Sequence, residues 1–331
     1  MSFRERSEAE QGFSTIWNVH IAPHLGRYKA AFTSKRRLVF FGVFGYFLFV
    51  VPALMWSRSL VDQQNETQVQ LAALGALAVS CGWFYITGKA FYDEVKNFDE
   101  FMRASVAQHF APIFRREPRD EAAYHYAHML QHERMTKKGD ALISNYHIGT
   151  YRDCSLEFFN VRYERVRWSR NGRRSRRRHY FLVVAIGVPV PFEGEIHIKR
   201  DYGGLLNWMR GKALGKRRFK VSHRGFEDQF EIYADSANAA RQLVSRSFCN
   251  NLMAIERMYP KGFGIFKRPT TALFKDGKFF LIIGNVRDMM TDGISYTHPD
   301  KVQQTARRMI ARLAVMPRIV DYLHGRRPRN S

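Results

Sequence analysis

Two uninterrupted apolar runs dominate the first quarter of the chain. Residues 38–56 read LVFFGVFGYFLFVVPALMW and residues 69–88 read VQLAALGALAVSCGWFYITG, neither with a charged side chain. A helix of about 20 apolar residues covers the roughly 30 Å of a bilayer's hydrocarbon. In lipid a single segment satisfies its own backbone only as a helix. The runs are separated by the short polar stretch 57–68, so the pattern predicts a transmembrane helical hairpin over 38–88, with spans at 38–56 and 69–88. Ala72, Gly75, Ala76 and Ala78 supply a small-residue face for close packing of the second helix.

Beyond Lys89 the pattern becomes amphipathic. Phe91, Val95, Phe98, Phe101, Met102 and Val106 recur at helical spacing. Pro112 and Pro118 interrupt that helix, and a second helix is expected from about Asp120. Residues 141–168 and 179–200 are rich in β-branched and aromatic side chains and read as strands. The pair Asn171-Gly172 between them predicts a long hairpin. A strand is expected within 226–234, followed by one helix over 235–259 capped by Asp235 or Ser236. Its buried face is Ala240, Leu243, Val244, Phe248, Leu252 and Ile255. Residues 271–286 read as a hairpin around Asp276-Gly277. A last helix over 299–323 presents Val302, Ala306, Met309, Ile310 and Leu313. The predicted fold class is therefore α+β: the two-helix transmembrane hairpin, then a mixed α+β domain with mainly antiparallel strands. The segments are an N-terminal stretch 1–37, the hairpin 38–88, a helical connector 89–135, the α+β domain 136–325 and a basic tail 326–331.

Charge adds an orientation. The 331 residues contain 53 Lys and Arg against 30 Asp and Glu. Arg27, Lys29, Lys35, Arg36 and Arg37 precede the first run, and Lys89, Lys96 and Arg103 follow the second, whereas 57–68 holds only Arg58 as a cation. Positive flanks stay cytoplasmic, which predicts both termini inside. Between Val161 and Arg224 there are 18 basic residues against 4 acidic ones, so the excess is a localised basic surface. Three scattered cysteines, Cys81, Cys154 and Cys249, exclude a disulfide framework and a zinc ribbon.

The layout resembles the DUF3137 family of bacterial membrane proteins of unknown function. The resemblance rests on FSTIWNVHIAPHLGRYKAAFTSKRR near the N-terminus and on the two runs. Above all it rests on FEDQFEIYADSANAARQLVSRSFCNNLMAI followed by TALFKDGKFFLIIG. It implies a cytoplasmic domain behind two membrane helices in the bacterial inner membrane, and it implies no catalytic residue.

The candidate chemistry is cationic. Arg170, Arg173, Arg174, Arg176, Arg177 and Arg178 are expected at a hairpin tip, and Lys212, Lys216, Arg217, Arg218 and Lys220 form a second basic stretch. Such charge suits the lipid bilayer and its anionic phospholipid head groups, each nearby cation contributing about 1 kcal/mol. It also suits nucleic acid through phosphates, an acidic or membrane-bound protein partner, or a solvated turn that blocks edge pairing. Leu205, Leu206, Trp208, Met209 and Leu214 beside the second stretch suit an interfacial segment. His125, His128 and His132 share one helical face and are the weak candidates for a metal. His147, Asp153 and Cys154 are neighbours in the chain, but proximity in sequence does not make a triad. No cofactor and no catalytic residue is expected. The expectation is a non-enzymatic scaffold or regulatory module at the inner leaflet, then a tethered polyanion binder, then an enzyme of unknown type.

Overall fold

The structure, a computed structural model, describes residues 3–5, 7–47, 51–52, 55, 66–118, 121–168, 174–201, 214–258, 270–287 and 301–323. Its contacts divide the chain into two compact units, one of residues 1–5, 10–106 and 295–306, the other of 6–9, 107–294 and 307–331.

The first unit is helical. A short helix Phe13–Ile16 and a π-helical turn Trp17–Ile21 lead into α1, Ala22–Gly45; α2 is Glu66–His109, 44 residues long. Phe13, Trp17, Ile21, Leu25, Tyr28 and Phe32 recur every three or four residues and are buried. Tyr28 stacks on Phe98 with centroids 3.9 Å apart, Phe32 meets Phe91 at 5.1 Å, and Lys35 Nζ donates to Glu94 Oε2 at 2.7 Å. Rising numbers on α1 meet falling numbers on α2, so the helices form an antiparallel pair. Farther along, a Cβ on Gly42 would lie 2.5 Å from Trp83 Nε1, so the helix approaches the indole at a residue without a side chain.

The expected spans fall on these two helices but are not helices of their own. Residues 38–45 of the first run close α1 and the second run lies within α2, and both helices carry charged residues outside the runs, with Lys29, Lys35 and Arg36 on α1 and Asp93, Glu94 and Lys96 on α2. Among the described residues no helix is long and apolar enough to cross a membrane. Residues 48–50, 53–54 and 56 of the first run, and the side chains of 69–73, 76 and 80 in the second, lie outside the description. What the helices do show is apolar exposure. Phe40, Phe41, Phe44 and Phe47, with Leu74, Val79, Tyr85 and Ile86, are all more than half exposed.

The second unit is built on one nine-stranded antiparallel sheet, which bears out the α+β class. Its strands are β1 Phe114–Arg116, β2 Asp140–Tyr151, β3 Cys154–Trp168, β4 Arg174–Gly187, β5 Ile196–Arg200, β6 Arg217–Phe219, β7 Phe230–Ala234, β8 Thr270–Lys275 and β9 Lys278–Gly284. They are ordered β1-β2-β3-β4-β9-β8-β5-β7-β6. The strand-like stretch 141–168 is two strands. Tyr151 pairs with Cys154 across Arg152 and Asp153, whose φ angles are both positive. Two such residues in sequence make a primed two-residue turn. The β8–β9 hairpin turns at Asp276-Gly277 as expected and lies between β4 and β5.

Both sheet faces are covered, which is why the central strands are apolar throughout. On one face α3, Glu121–His132, lays Ala123, Ala127 and Leu130 over Phe159, Val161, Tyr163, Phe181, Val183, Leu273, Phe280 and Ile282. On the other, Phe248 packs against Phe274 and Phe279, both at 5.5 Å. The remaining helices are α4 Arg224–Glu227, α5 Ala237–Leu243, α6 Arg246–Met258, α7 Val302–Leu313 and α8 Val315–Leu323. The helix expected over 235–259 is thus α5 and α6, each with its own serine cap. Ser236 Oγ accepts from Ala239 N at 3.3 Å and Ser245 Oγ from Phe248 N at 3.2 Å. The last helix is likewise two, because Pro317 cannot donate to the carbonyl four residues earlier.

Candidate functional site: a basic hairpin and a buried charge network

The hairpin expected around Asn171-Gly172 is β3–β4. Its pairing runs from Leu156↔Ile186 out to Trp168↔Arg174. Arg170 and Arg173 lie outside the described residues, and of Arg174 only the backbone is described. Arg176, Arg177 and Arg178 are exposed on β4, but alternation sends them to opposite faces. Glu164 lies on the same face as Arg176 and Arg178. Its Oε1 is 2.9 Å from Arg178 Nε and 3.1 Å from Arg162 Nε, and its Oε2 is 3.6 Å from Arg176 Nε. One carboxylate therefore serves three guanidinium groups. Arg177 lies on the other face, directly opposite Arg165.

The second basic stretch is not a uniform surface. Lys212 and residues 205–209 lie outside the described residues. Arg217 and Lys220 are exposed. Arg218 Nη2 pairs with buried Glu231 at 2.6 Å. Lys216 is turned inward, with its Nζ 2.9 Å from Glu195 Oε2 and 2.8 Å from Asp235 Oδ2. Those two anions take up its charge.

That inward lysine belongs to a network assembled from distant parts of the chain. Glu195 precedes β5, and His197 follows two residues later on the same face. Lys275 ends β8, and Glu133 follows α3. Lys275 Nζ donates to Glu133 Oε1 at 2.7 Å and also to Glu195. His197 is fully buried; its Nε2 donates to Glu195 Oε2 at 3.1 Å and lies 3.6 Å from Glu133 Oε2, while Nδ1 has no hydrogen-bond partner among the described residues. Burial raises the Glu195 pKa, but hydrogen bonds from Lys275, Lys216 and His197 outweigh it and hold the carboxyl at about 2. Burial lowers the His197 pKa more than the Glu195 hydrogen bond raises it, so the ring is neutral. Burial also lowers the Lys275 pKa, yet the bonds to Glu133 and Glu195 win and raise it.

A second polar group lies on the same sheet face, since Lys278 pairs with Lys275 across the turn. Lys278 Nζ donates to Glu157 Oε1 at 2.6 Å and to the Tyr126 hydroxyl. Tyr146 donates to Glu157 Oε2 at 2.8 Å. Both lysines thus sit in the sheet's covered face, each matched to carboxylates as buried charges must be.

Glu133, Glu195 and His197 place their ligand atoms within 4.8 Å of one another, a donor set suited to a divalent ion. The carboxylates already accept from two ammonium groups, which occupy the place a cation would take. The arrangement is a clamp in which ammonium groups are held between carboxylates. His125, His128 and His132 lie exposed on α3, and among the described residues they form no ligand group with another donor. His147 stacks on Phe158 at 4.3 Å and bonds the Asn145 carbonyl, while Cys154 is buried, with its thiol pKa raised by burial and by the neighbouring Asp153.

A largely apolar cavity of about 460 Å³ opens elsewhere in this unit, among Phe110, Ile113, Tyr151, Ile255, Val315 and Arg318.

Comparison with known proteins bears on the same half of the chain. A family model described as a protein of unknown function, DUF3137, matches residues 182–324. Over residues 182–324 the chain is similar to the DUF3137 family. The match begins in β4 and ends beyond α8, so it takes in Glu195, His197, Lys216, Asp235 and Lys275 but neither Glu133 nor the N-terminal helices. The resemblance expected over nearly the whole chain is thus matched over its C-terminal part. No curated protein and no solved structure matches the chain. The DUF3137 description names no activity. Sequence reasoning missed the network because its members are up to 142 positions apart. The one local sign was Glu195 and His197 alternating with isoleucines on one strand face.

Proposed function

We propose that the protein is an integral membrane protein. The α1–α2 pair anchors it, and the basic α+β unit works at the anionic cytoplasmic leaflet as a non-enzymatic scaffold or regulatory module. The observation that carries this reading is the row of exposed aromatic and aliphatic side chains on the paired helices. Phe40, Phe41, Phe44, Phe47, Val79, Tyr85 and Ile86 face outward. A contiguous apolar surface of that kind marks a membrane or protein contact. Basic residues flank it at Lys35, Arg36, Arg37 and Lys89, as expected of cytoplasmic ends. The uncharged residues 48–56 extend the same run. The close approach at Gly42 and Trp83 suits helices packed within lipid, where small residues let backbones come together. The β3–β4 hairpin then offers part of its basic surface to acidic head groups, helped by tethering, which raises its effective concentration.

Alkaline carbonate extraction of membranes from expressing cells tests the anchor. The protein should stay in the pellet and be released only by detergent. Release into the carbonate supernatant would remove the reading.

A further inference from the structure

The β3–β4 hairpin has two chemically different sides, and the split goes beyond the general basic character of the segment. Along β3, Tyr163 is buried and its hydroxyl donates to the Ala127 carbonyl at 2.9 Å, so that side is the one covered by α3. Two residues outward on the same side comes Arg165, and on β4 the matching positions beyond Phe181 are His179 and Arg177. Arg165 and Arg177 are direct cross-strand partners, both exposed. Like charges in that position repel. Neither they nor Lys137 has an ion-pair partner among the described residues. Lys137 and Arg177 are close enough to His179 to add to the effect of burial in lowering its pKa. The loop 169–173, SRNGR, has no acidic residue to offset them.

The opposite side is different. Arg162, Arg176 and Arg178 surround Glu164, and Asp140 is the β2 partner of Glu164 on that side. Tyr180 there is covered by Arg287, 5.2 Å from its ring. Two acids and shared guanidinium contacts leave that side partly neutralised, whereas among the described residues the first side sets Lys137, Arg165 and Arg177 beside His179 with no acid between them.

We infer that the side formed by Lys137, Arg165, Arg177 and His179 is the surface that meets anionic lipid head groups. The side built around Glu164 is turned away from the contact. This rests on the membrane reading above. A phosphate set between Arg165 and Arg177 replaces their repulsion by two charge-assisted contacts. Such a contact needs no base stacking, and among the described residues this side presents no Phe, Tyr or Trp beyond the core. The tether on the same chain favours a bilayer over a free polyanion.

Hydrogen exchange on the full-length protein in nanodiscs tests it. The discs are made of phosphatidylcholine alone or with phosphatidylglycerol. Exchange across 163–179 should slow roughly tenfold when phosphatidylglycerol is present. R165S/R177S should abolish that slowing, R165K/R177K should keep it, and R176S/R178S should keep it within about twofold. Unchanged exchange of β8–β9 shows that each variant is folded. Equal loss in the R165S/R177S and R176S/R178S variants, or no response to phosphatidylglycerol in a protein that enters the discs, overturns the assignment and leaves the anchor intact. Stronger protection by an oligonucleotide than by phosphatidylglycerol overturns the lipid as partner. A protein that does not enter the discs overturns the anchor and this inference with it.

Discussion

Lys275 Nζ lies 2.7 Å from Glu133 Oε1, joining the residue that follows α3 to the end of a strand 142 positions later. The ammonium also bonds Glu195, so one lysine holds α3, β5 and β8 in register. Removing one member of such a pair leaves the other charged and poorly solvated. K275M should cost about 2 kcal/mol, less than a fully buried pair because the Lys275 side chain keeps 19% of its exposure. The thermal midpoint in detergent should fall accordingly. The triple change K275M/E133Q/E195Q should recover part of the loss.

The same carboxylates set an acid limit. Glu195 titrates at about 2 when folded, below the usual glutamate range. A depressed folded pKa contributes stability that is complete above the unfolded value and is lost as pH falls towards the folded one. Midpoints measured from pH 5 down to about pH 2 should therefore drop steeply, and E195Q should flatten that slope. An unchanged slope in E195Q would assign the acid sensitivity to other groups.

Gly149 is where β1 presses on β2. A Cβ there would meet the Ile113 carbonyl oxygen and lie 2.6 Å from Phe114 Cα, backbone atoms that cannot rotate away. G149A should destabilise the second unit by about 2 kcal/mol. It should also speed hydrogen exchange at Thr150, whose N–H bonds the Ile113 carbonyl at 3.1 Å.

Gly42 plays a similar part in the helical pair, because an added Cβ would run into Trp83. G42L should loosen the α1–α2 contact. Disulfide cross-linking between cysteines placed at Phe32 and Phe91, 5.1 Å apart by ring centroid, should become slower in that variant than in the parent.

How far the sequence spoke for itself varies with distance along the chain. The β8–β9 hairpin was legible because Asp276-Gly277 provides the positive φ its turn needs, and Asp276 and Gly277 do adopt φ of 51° and 71°. The apolar face of α7 was legible because Val302, Ala306, Met309, Ile310 and Leu313 keep one period, and all five are buried. The β2–β3 turn was not, because Arg152-Asp153 lacks the asparagine or glycine that ordinarily announces such a turn. The amphipathic stripe from Phe13 to Phe32 was overshadowed by the more apolar run after it. Lys216 read as part of a surface patch, since nothing near it in sequence shows that Glu195 and Asp235 face it across the sheet.

The outward-facing phenylalanines of α1 and their counterparts on α2 should lie in lipid. Cysteine accessibility in intact cells tests this most directly, using single cysteines at Ser59 in the polar stretch between the runs and at Ser222 in the basic unit, with Cys81 replaced. A membrane-impermeant maleimide should label the Ser59 position from outside and should reach the Ser222 position only after the inner membrane is broken. Labelling at Ser222 in intact cells, or equal protection of both positions, would contradict it.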